Sequence, residues 1–275
     1  MKRIVSLFLI CLLLCGCAPA PTEAEHTVAA TTKPVWQFAS AIAEGTAVTV
    51  QPLVTEDVSC LHDYTLTVSQ MRLIEHADAV IINGGGLEHF MEDVLSSKET
   101  VIDASADLTE RDDPHFWLSP EHASKMAKNI AAGLIALYPE YQSRFRENLG
   151  TLLEDFLQLQ AYAHLQTASL SCREIITFHD GFSYFADALD LTLLAAMEVE
   201  HGSEPAAKDI VKITDLVVTH ALPAVFTETN GSEDAALVVA KETGCKVFSL
   251  DMAMGDEDYF AAMRKNIDTV KEALS

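Results

Sequence analysis

Between residue 120 and about residue 169 the chain shows no strand-like run, while on either side short β-rich segments alternate with helical patterns. This arrangement limits the fold more than any single motif. Strands are predicted at 27–31, 47–54, 79–83 and 100–103, with helices at 34–44, 68–76 and 87–96. The uninterrupted apolar run Ala79-Val80-Ile81-Ile82 suits a strand covered on both faces, as in a parallel sheet. Parallel neighbours need crossover helices, so the alternation implies an α/β layer with right-handed connections. In the central stretch Phe145, Leu149, Leu152, Leu153, Phe156 and Leu159 recur at threes and fours, the period of one helix face. Tyr138-Pro139 interrupts it, because proline starts a helix well but cannot continue one. Helices are therefore predicted at 120–137 and from about 139 to 168. At ~1.5 Å per residue the second would reach ~45 Å, enough to run behind two domains. The βα rhythm then resumes, with strands at 173–178, 191–198, 224–228 and 246–250 and helices at 182–189, 205–220, 232–243 and 256–274. The expected fold class is α/β: two βα domains with parallel four-stranded sheets, joined by a long helix, with no sequence repeat to mark a duplication.

The front of the chain stands outside that fold. Lys2 and Arg3 precede an eleven-residue run, residues 4–14, that is apolar except for Ser6. It is about half of the ~20 residues a membrane-spanning helix needs. Leu14-Cys15-Gly16-Cys17 follows and resembles the bacterial lipoprotein signal, in which cleavage precedes an acylated cysteine. Residues 1–16 are read as a signal peptide and Cys17 as the lipid anchor, holding the protein at the outer face of the cell membrane or in the periplasm. Acyl chains bind a membrane without spanning it. Residues 17–25, rich in Pro, Ala and Glu, read as a flexible tether. The expected division of the rest is an amino-terminal lobe at 26–138, a linking helix at 139–169 and a carboxyl-terminal lobe at 170–275, within a length ample for two domains.

The net charge of −23 becomes more negative once Lys2 and Arg3 leave. Such a chain is repelled by nucleic acid and by anionic lipid headgroups, so neither is expected as a partner, whereas cations are not repelled. Of six cysteines, Cys11, Cys15 and Cys17 fall in the leader. Cys60, Cys172 and Cys245 remain, an odd number for an oxidising compartment. Cys172 and Cys245 each open a predicted strand and are the better candidates for a disulfide.

The chemistry-bearing residues lie in loops past strand ends. His62, His115 and His179 occupy three such loops, and Asp251 follows the last strand. In open α/β sheets these loops form the binding crevice, so histidines spread over two domains converge only where the domains face each other. Three imidazoles and a carboxylate make a tetrahedral set suited to zinc. Of the ten histidines, His26, His76, His89, His122, His164, His201 and His220 are read as surface or core residues. Among these, His89 and His122 stand nearest to loop–helix junctions.

These residues sit in recognisable surroundings: Ala29-Ala30-Thr31-Thr32 with Pro34 and Phe38; His62-Asp63-Tyr64; Ile82-Asn83-Gly84 with Leu87-Glu88; Asp113-Pro114-His115-Phe116-Trp117-Leu118-Ser119-Pro120; Phe178-His179-Asp180 with Phe182, Tyr184 and Phe185; Glu204-Pro205-Ala206 with Lys208-Asp209; and Phe226-Thr227-Glu228. In this order, over nearly the whole mature chain, they resemble the solute-binding lipoproteins of zinc and manganese ABC importers. The resemblance implies four metal ligands, His62 and His115 from the first lobe, His179 and Asp251 from the second. Bound water competes with Asp251 for its place, and Glu228 is a second candidate carboxylate. A histidine at the third position favours zinc; manganese or iron are the alternatives, since manganese prefers oxygen-rich sites. Asp113 and Asp180 stand beside ligands and are candidates to orient their imidazoles. The expected partners are the divalent ion, an ABC-transporter permease and the membrane through Cys17, with the chain itself a monomer.

The chain departs from many zinc-type relatives in two respects. Residues 63–114 hold only His76 and His89, not a long His-rich loop, and Leu61 precedes His62 where a carboxylate could stand. Cys60 leaves a zinc thiolate open. A zinc hydrolase would need a general base beside an open coordination position, and no HExxH, GxSxG or Ser/His/Asp set is evident. A surface adhesin is a further alternative for which no residue speaks. The Gly84–Gly86 run resembles a phosphate-cradling turn but reads better as a tight strand–helix turn. Proton competition for the histidines should weaken binding as pH falls, and the long helix should limit hinge motion.

Overall fold

The computed structural model describes residues 26–55, 61, 64–108, 111–197 and 206–275. The first half carries β1 (His26–Ala30), α1 (Lys33–Ala43), β2 (Val48–Pro52), α2 (Val68–His76), β3 (Ala79–Ile82), α3 (Glu92–Ser96), β4 (Val101–Asp103) and α4 (Pro120–Leu137). A helix of 26 residues follows, α5 (Gln142–Thr167). The second half carries β5 (Glu174–Thr177), α6 (Ser183–Ala188), β6 (Thr192–Ala196), α7 (Ala207–His220), β7 (Ala224–Glu228), α8 (Asp234–Thr243), β8 (Lys246–Leu250) and α9 (Tyr259–Leu274). All strand pairs are parallel, in the orders β2-β1-β3-β4 and β6-β5-β7-β8. The two lobes, each a sheet with its helices, thus share one topology without a sequence repeat. Among the described residues no helix is long and apolar enough to cross a membrane.

Local chemistry sets the boundaries. Thr32 accepts a hydrogen bond from the Val35 N–H and Pro34 stands in the first turn of α1. Thr67 and Gln70 cap α2 reciprocally, and Ser119 with Pro120 starts α4. Such caps satisfy amide groups that a helix start leaves without partners. Tyr138, immediately ahead of Pro139 and outside the helical conformation, separates α4 from a short 3-10 turn that leads into α5. The predicted helix at 87–96 is instead a 3-10 turn at His89–Met91 followed by the short α3. The three glycines before it, Gly84, Gly85 and Gly86, all adopt positive φ, and the turn they make uses the residues a first helical turn would need.

Helix α5 packs on α1 and α4 of the first lobe and on α9 of the second. The inner faces of both sheets and this helix share one buried cluster, from Val28 and Phe38 through Phe156 and Leu159 to Tyr259 and Ile267. Phe38, Phe156 and Tyr259 meet edge-to-face at 4.9–5.8 Å between ring centroids, joining α1, α5 and α9. The outer face of each sheet has its own smaller core, around Val80 and Ile74 in the first lobe and around Val225 and Val217 in the second. A packed interior shared by both lobes leaves little slack for a hinge.

The expected Cys172–Cys245 disulfide is corrected: both are free thiols. They precede β5 and β8, and β7 lies between those strands. Two strand spacings put them about 10 Å apart, beyond the ~7 Å between Cα atoms that a disulfide can bridge.

Candidate metal centre

The centre forms where the carboxyl ends of the two sheets face each other. His115 lies between β4 and α4, in a loop held from below. Asn83, just past β3, donates its side-chain amide to the Pro114 carbonyl at 2.9 Å. A side chain on Gly85 would overlap the Phe116 ring, at 2.6 Å, so only glycine lets the loop sit this close. The Gly84–Gly86 turn does not present its amides to a phosphate. Glu88 fills that role internally, accepting hydrogen bonds from the Asn83 and Gly84 N–H groups at 2.7 and 3.0 Å and from the Thr31 hydroxyl at 2.6 Å. Burial nevertheless raises the pKa of Glu88 above its ordinary value despite these bonds, and the charge of Asp103 adds a smaller push in the same direction.

His115 is 3% exposed, and its Nδ1 lies 2.8 Å from Asp113 Oδ1. Asp113 also accepts from the His115 N–H at 2.9 Å and from the Ser183 hydroxyl at the start of α6. Burial pushes the Asp113 carboxyl up, but the His115 contacts and Ser183 outweigh it and its pKa falls below the ordinary value. The carboxylate therefore stays charged and orients the ring.

His179 stands two residues past β5, its carbonyl accepting from the Thr177 hydroxyl at 2.8 Å. Its Nδ1 is 3.1 Å from Glu228 Oε2, at the end of β7. The register explains the meeting: Thr177 pairs with Phe226, so the residues two steps further on each strand, His179 and Glu228, come side by side. Burial and then the charge of Asp251 push Glu228 up to about 7. Gly181 crosses close by; a Cβ there would lie 2.8 Å from the His179 ring and 2.9 Å from the Met252 methyl.

The two imidazoles come from different lobes and meet edge-to-face with centroids 5.6 Å apart. Two imidazoles sharing a tetrahedral zinc through Nε2, at 2.0–2.1 Å each, would have centroids roughly 5 Å apart. With each Nδ1 beside a carboxylate, Nε2 points to the opposite side of the ring, an arrangement found around most metal-bound histidines. Asp251 follows β8 and lies near enough to Glu228 to raise its pKa; its Oδ1 accepts from the Ala253 N–H at 2.7 Å. Asn266 of α9 fixes its backbone, donating to the Asp251 carbonyl and accepting from its N–H at 2.7 and 2.8 Å.

The remaining expected residues divide clearly. His62 and Cys60 lie outside the described residues, as do Cys17 and His201. Among the described residues no three of His, Cys, Asp and Glu form a complete metal-holding group. Asp180 is exposed, and Glu228 lies against the His179 ring, with Oε2 3.1 Å from Nδ1. His89 is exposed and pairs with Glu92 at 3.7 Å, and His122 packs against Tyr184 and Phe116. Ser183 and Glu228 emerge as partners that spacing along the chain could not reveal.

The chain thus has two α/β lobes bridged by a long helix, with a histidine from each lobe meeting at the strand ends. Residues 28–273 match the family described as zinc-uptake complex component A, periplasmic (ZnuA), and the chain belongs to that family. It is 25% identical to the zinc-binding protein AdcA of Streptococcus pyogenes serotype M3 across 90% of this chain and 56% of AdcA. The chain thus spans little more than half the length of that relative. The manganese-binding lipoprotein MntA of Halalkalibacterium halodurans is 26% identical, over 78% of this chain and 77% of its own. A crystal structure of ZnuA superposes with a TM-score of 0.81 at 26% identity, covering 92% of this chain and all of that one. The binding protein FpvC of Pseudomonas aeruginosa, solved with nickel, gives 0.81 at 25% identity over 91% of this chain and 97% of its own.

Proposed function

We propose that this chain captures zinc between its lobes, 26–138 and 170–275 about the linking segment 139–169, and delivers it to an ABC importer while held at the membrane by a lipid on Cys17. His62, His115, His179 and Asp251 are the proposed ligands. The observation that carries the reading is the edge-to-face approach of His115 and His179 from opposite lobes, each with Nδ1 against a carboxylate. Imidazole at the third position suits zinc, copper or nickel better than manganese. Neutral imidazoles close on the ion, strip its water and compete with protons for it, so capture weakens as pH falls.

One observation favours manganese as a second reading: Glu228 lies against the His179 ring and close enough to Asp251 to feel its charge, and an oxygen-rich site suits that ion. Elemental analysis of the purified protein, followed by competition between zinc and manganese, separates the two. Zinc should be retained and should displace manganese. Displacement of zinc by equimolar manganese would overturn the preferred reading.

A further inference from the structure

Behind the ligands, the two lobes are tied together at one point by a tryptophan. Trp117 lies two residues beyond His115 and donates its indole N–H to the carbonyl of Met252, one residue beyond Asp251, at 2.7 Å. Tyr259, at the start of α9, returns the contact by donating its hydroxyl to the Trp117 carbonyl at 2.6 Å. Both rings are 1% exposed. Further contacts from the first lobe converge on the same segment. Gln37 of α1 accepts from the Tyr259 N–H at 2.8 Å and donates to the Glu257 carbonyl at 3.0 Å, and Lys33 pairs with Asp256 at 2.5 Å.

We infer that Trp117 is a positioning residue for the metal site, setting where Asp251 stands relative to His115. This inference rests on the ligand assignment proposed above. None of these bonds uses an imidazole or the Asp251 carboxylate, so the ion contributes nothing to forming them. The span between the two ligand loops is therefore imposed by the protein. A buried indole N–H on a backbone carbonyl has one good geometry, and the reciprocal Tyr259 bond removes the freedom to slide. A fixed span suits an ion content with four ligands. An ion that prefers six gains once the span is loosened, because extra oxygen ligands can enter. Trp117 is thus a determinant of selectivity as well as affinity, although it touches no ion itself.

Trp117→Phe keeps an aromatic ring but removes the N–H with the pyrrole half of the indole; Tyr259→Phe removes only the hydroxyl of the returning bond. Zinc affinity is read by competition with a chromophoric chelator, and site geometry by the visible absorption of the cobalt(II)-loaded protein. Each variant should bind zinc about 10-fold more weakly, in the range seen when groups behind metal ligands are lost. The cobalt bands should weaken as coordination rises above four, and the preference for zinc over manganese should narrow. Wild-type affinity and an unchanged cobalt spectrum in both variants would overturn the inference, and if Trp117→Phe fails to fold, Tyr259→Phe decides by the same criteria. His115→Ala measured alongside separates the two levels: undiminished zinc binding there would sink the ligand assignment itself, whatever Trp117 does.

Discussion

Replacing Glu88 with alanine should destabilise the metal-free protein by about 3–5 kcal/mol, because it leaves buried donors without their acceptor, at roughly 1–3 kcal/mol for each. The carboxylate is 5% exposed and receives three hydrogen bonds, from the Thr31 hydroxyl, the Asn83 N–H and the Gly84 N–H, at 2.6–3.0 Å. Bonds to a charged acceptor contribute roughly 1.5–3 kcal/mol each. The gross loss would exceed the net one, because burying the carboxylate is itself costly, as its raised pKa records. The Asn83 N–H would keep only its 3.2 Å bond to the Thr31 hydroxyl oxygen, and the Gly84 N–H would lose its acceptor. For a chain of this size each kcal/mol lowers the melting temperature by roughly 2–4 °C, so a fall of about 6–20 °C is expected. Thermal unfolding followed by circular dichroism in chelator measures it. Zinc affinity should fall as well, because Asn83 and Gly85 support the loop of His115. A change below about 1 kcal/mol, the size of one ordinary hydrogen bond, would refute the view that Glu88 knits β1, β3 and the glycine turn together.

Gly181→Ala drives a methyl group against the His179 ring and Met252; zinc affinity should drop about 10-fold, as for disturbed groups around a ligand, with little change in melting temperature of the metal-free protein. Phe156→Ala, by contrast, removes the ring joining α1, α5 and α9 and should cost about 3–5 kcal/mol in urea unfolding. Glu228 supplies a pH test in chelator. Its pKa in the folded protein is raised to about 7 from 4.5, so its contribution to stability is present below the unfolded value and is lost as pH rises through 7. Glu228→Gln should therefore flatten the fall in stability between pH 5 and pH 8 seen in urea titrations of the metal-free wild type; an identical pH profile in the variant would contradict the assignment.

The strands were legible because each is a short apolar or β-branched run bounded by turn residues. The predicted strands at 224–228 and 246–250 coincide with β7 and β8, the predicted helices at 68–76 and 120–137 coincide with α2 and α4, and α4 ends at Tyr138-Pro139 as expected. Strand order was not legible, and the misplaced disulfide followed from that: Cys172 and Cys245 look equivalent until β7 is known to separate β5 from β8. Glu228 illustrates the same point at the centre. Its place beside His179 follows from pairing of β5 with β7, a long-range contact with no local signature. The bonds between Trp117, Met252 and Tyr259 span more than 130 residues of sequence and are invisible to any local pattern. Asp113, two residues from the ring it orients, could be foreseen.

X-ray absorption at the zinc edge of the loaded protein addresses the central claim most directly. Three imidazole shells with one oxygen ligand are expected around a single zinc, and His179→Ala should remove one imidazole. A spectrum dominated by sulfur, or one unaltered by that substitution, would mean that the histidines of the two lobes do not share an ion.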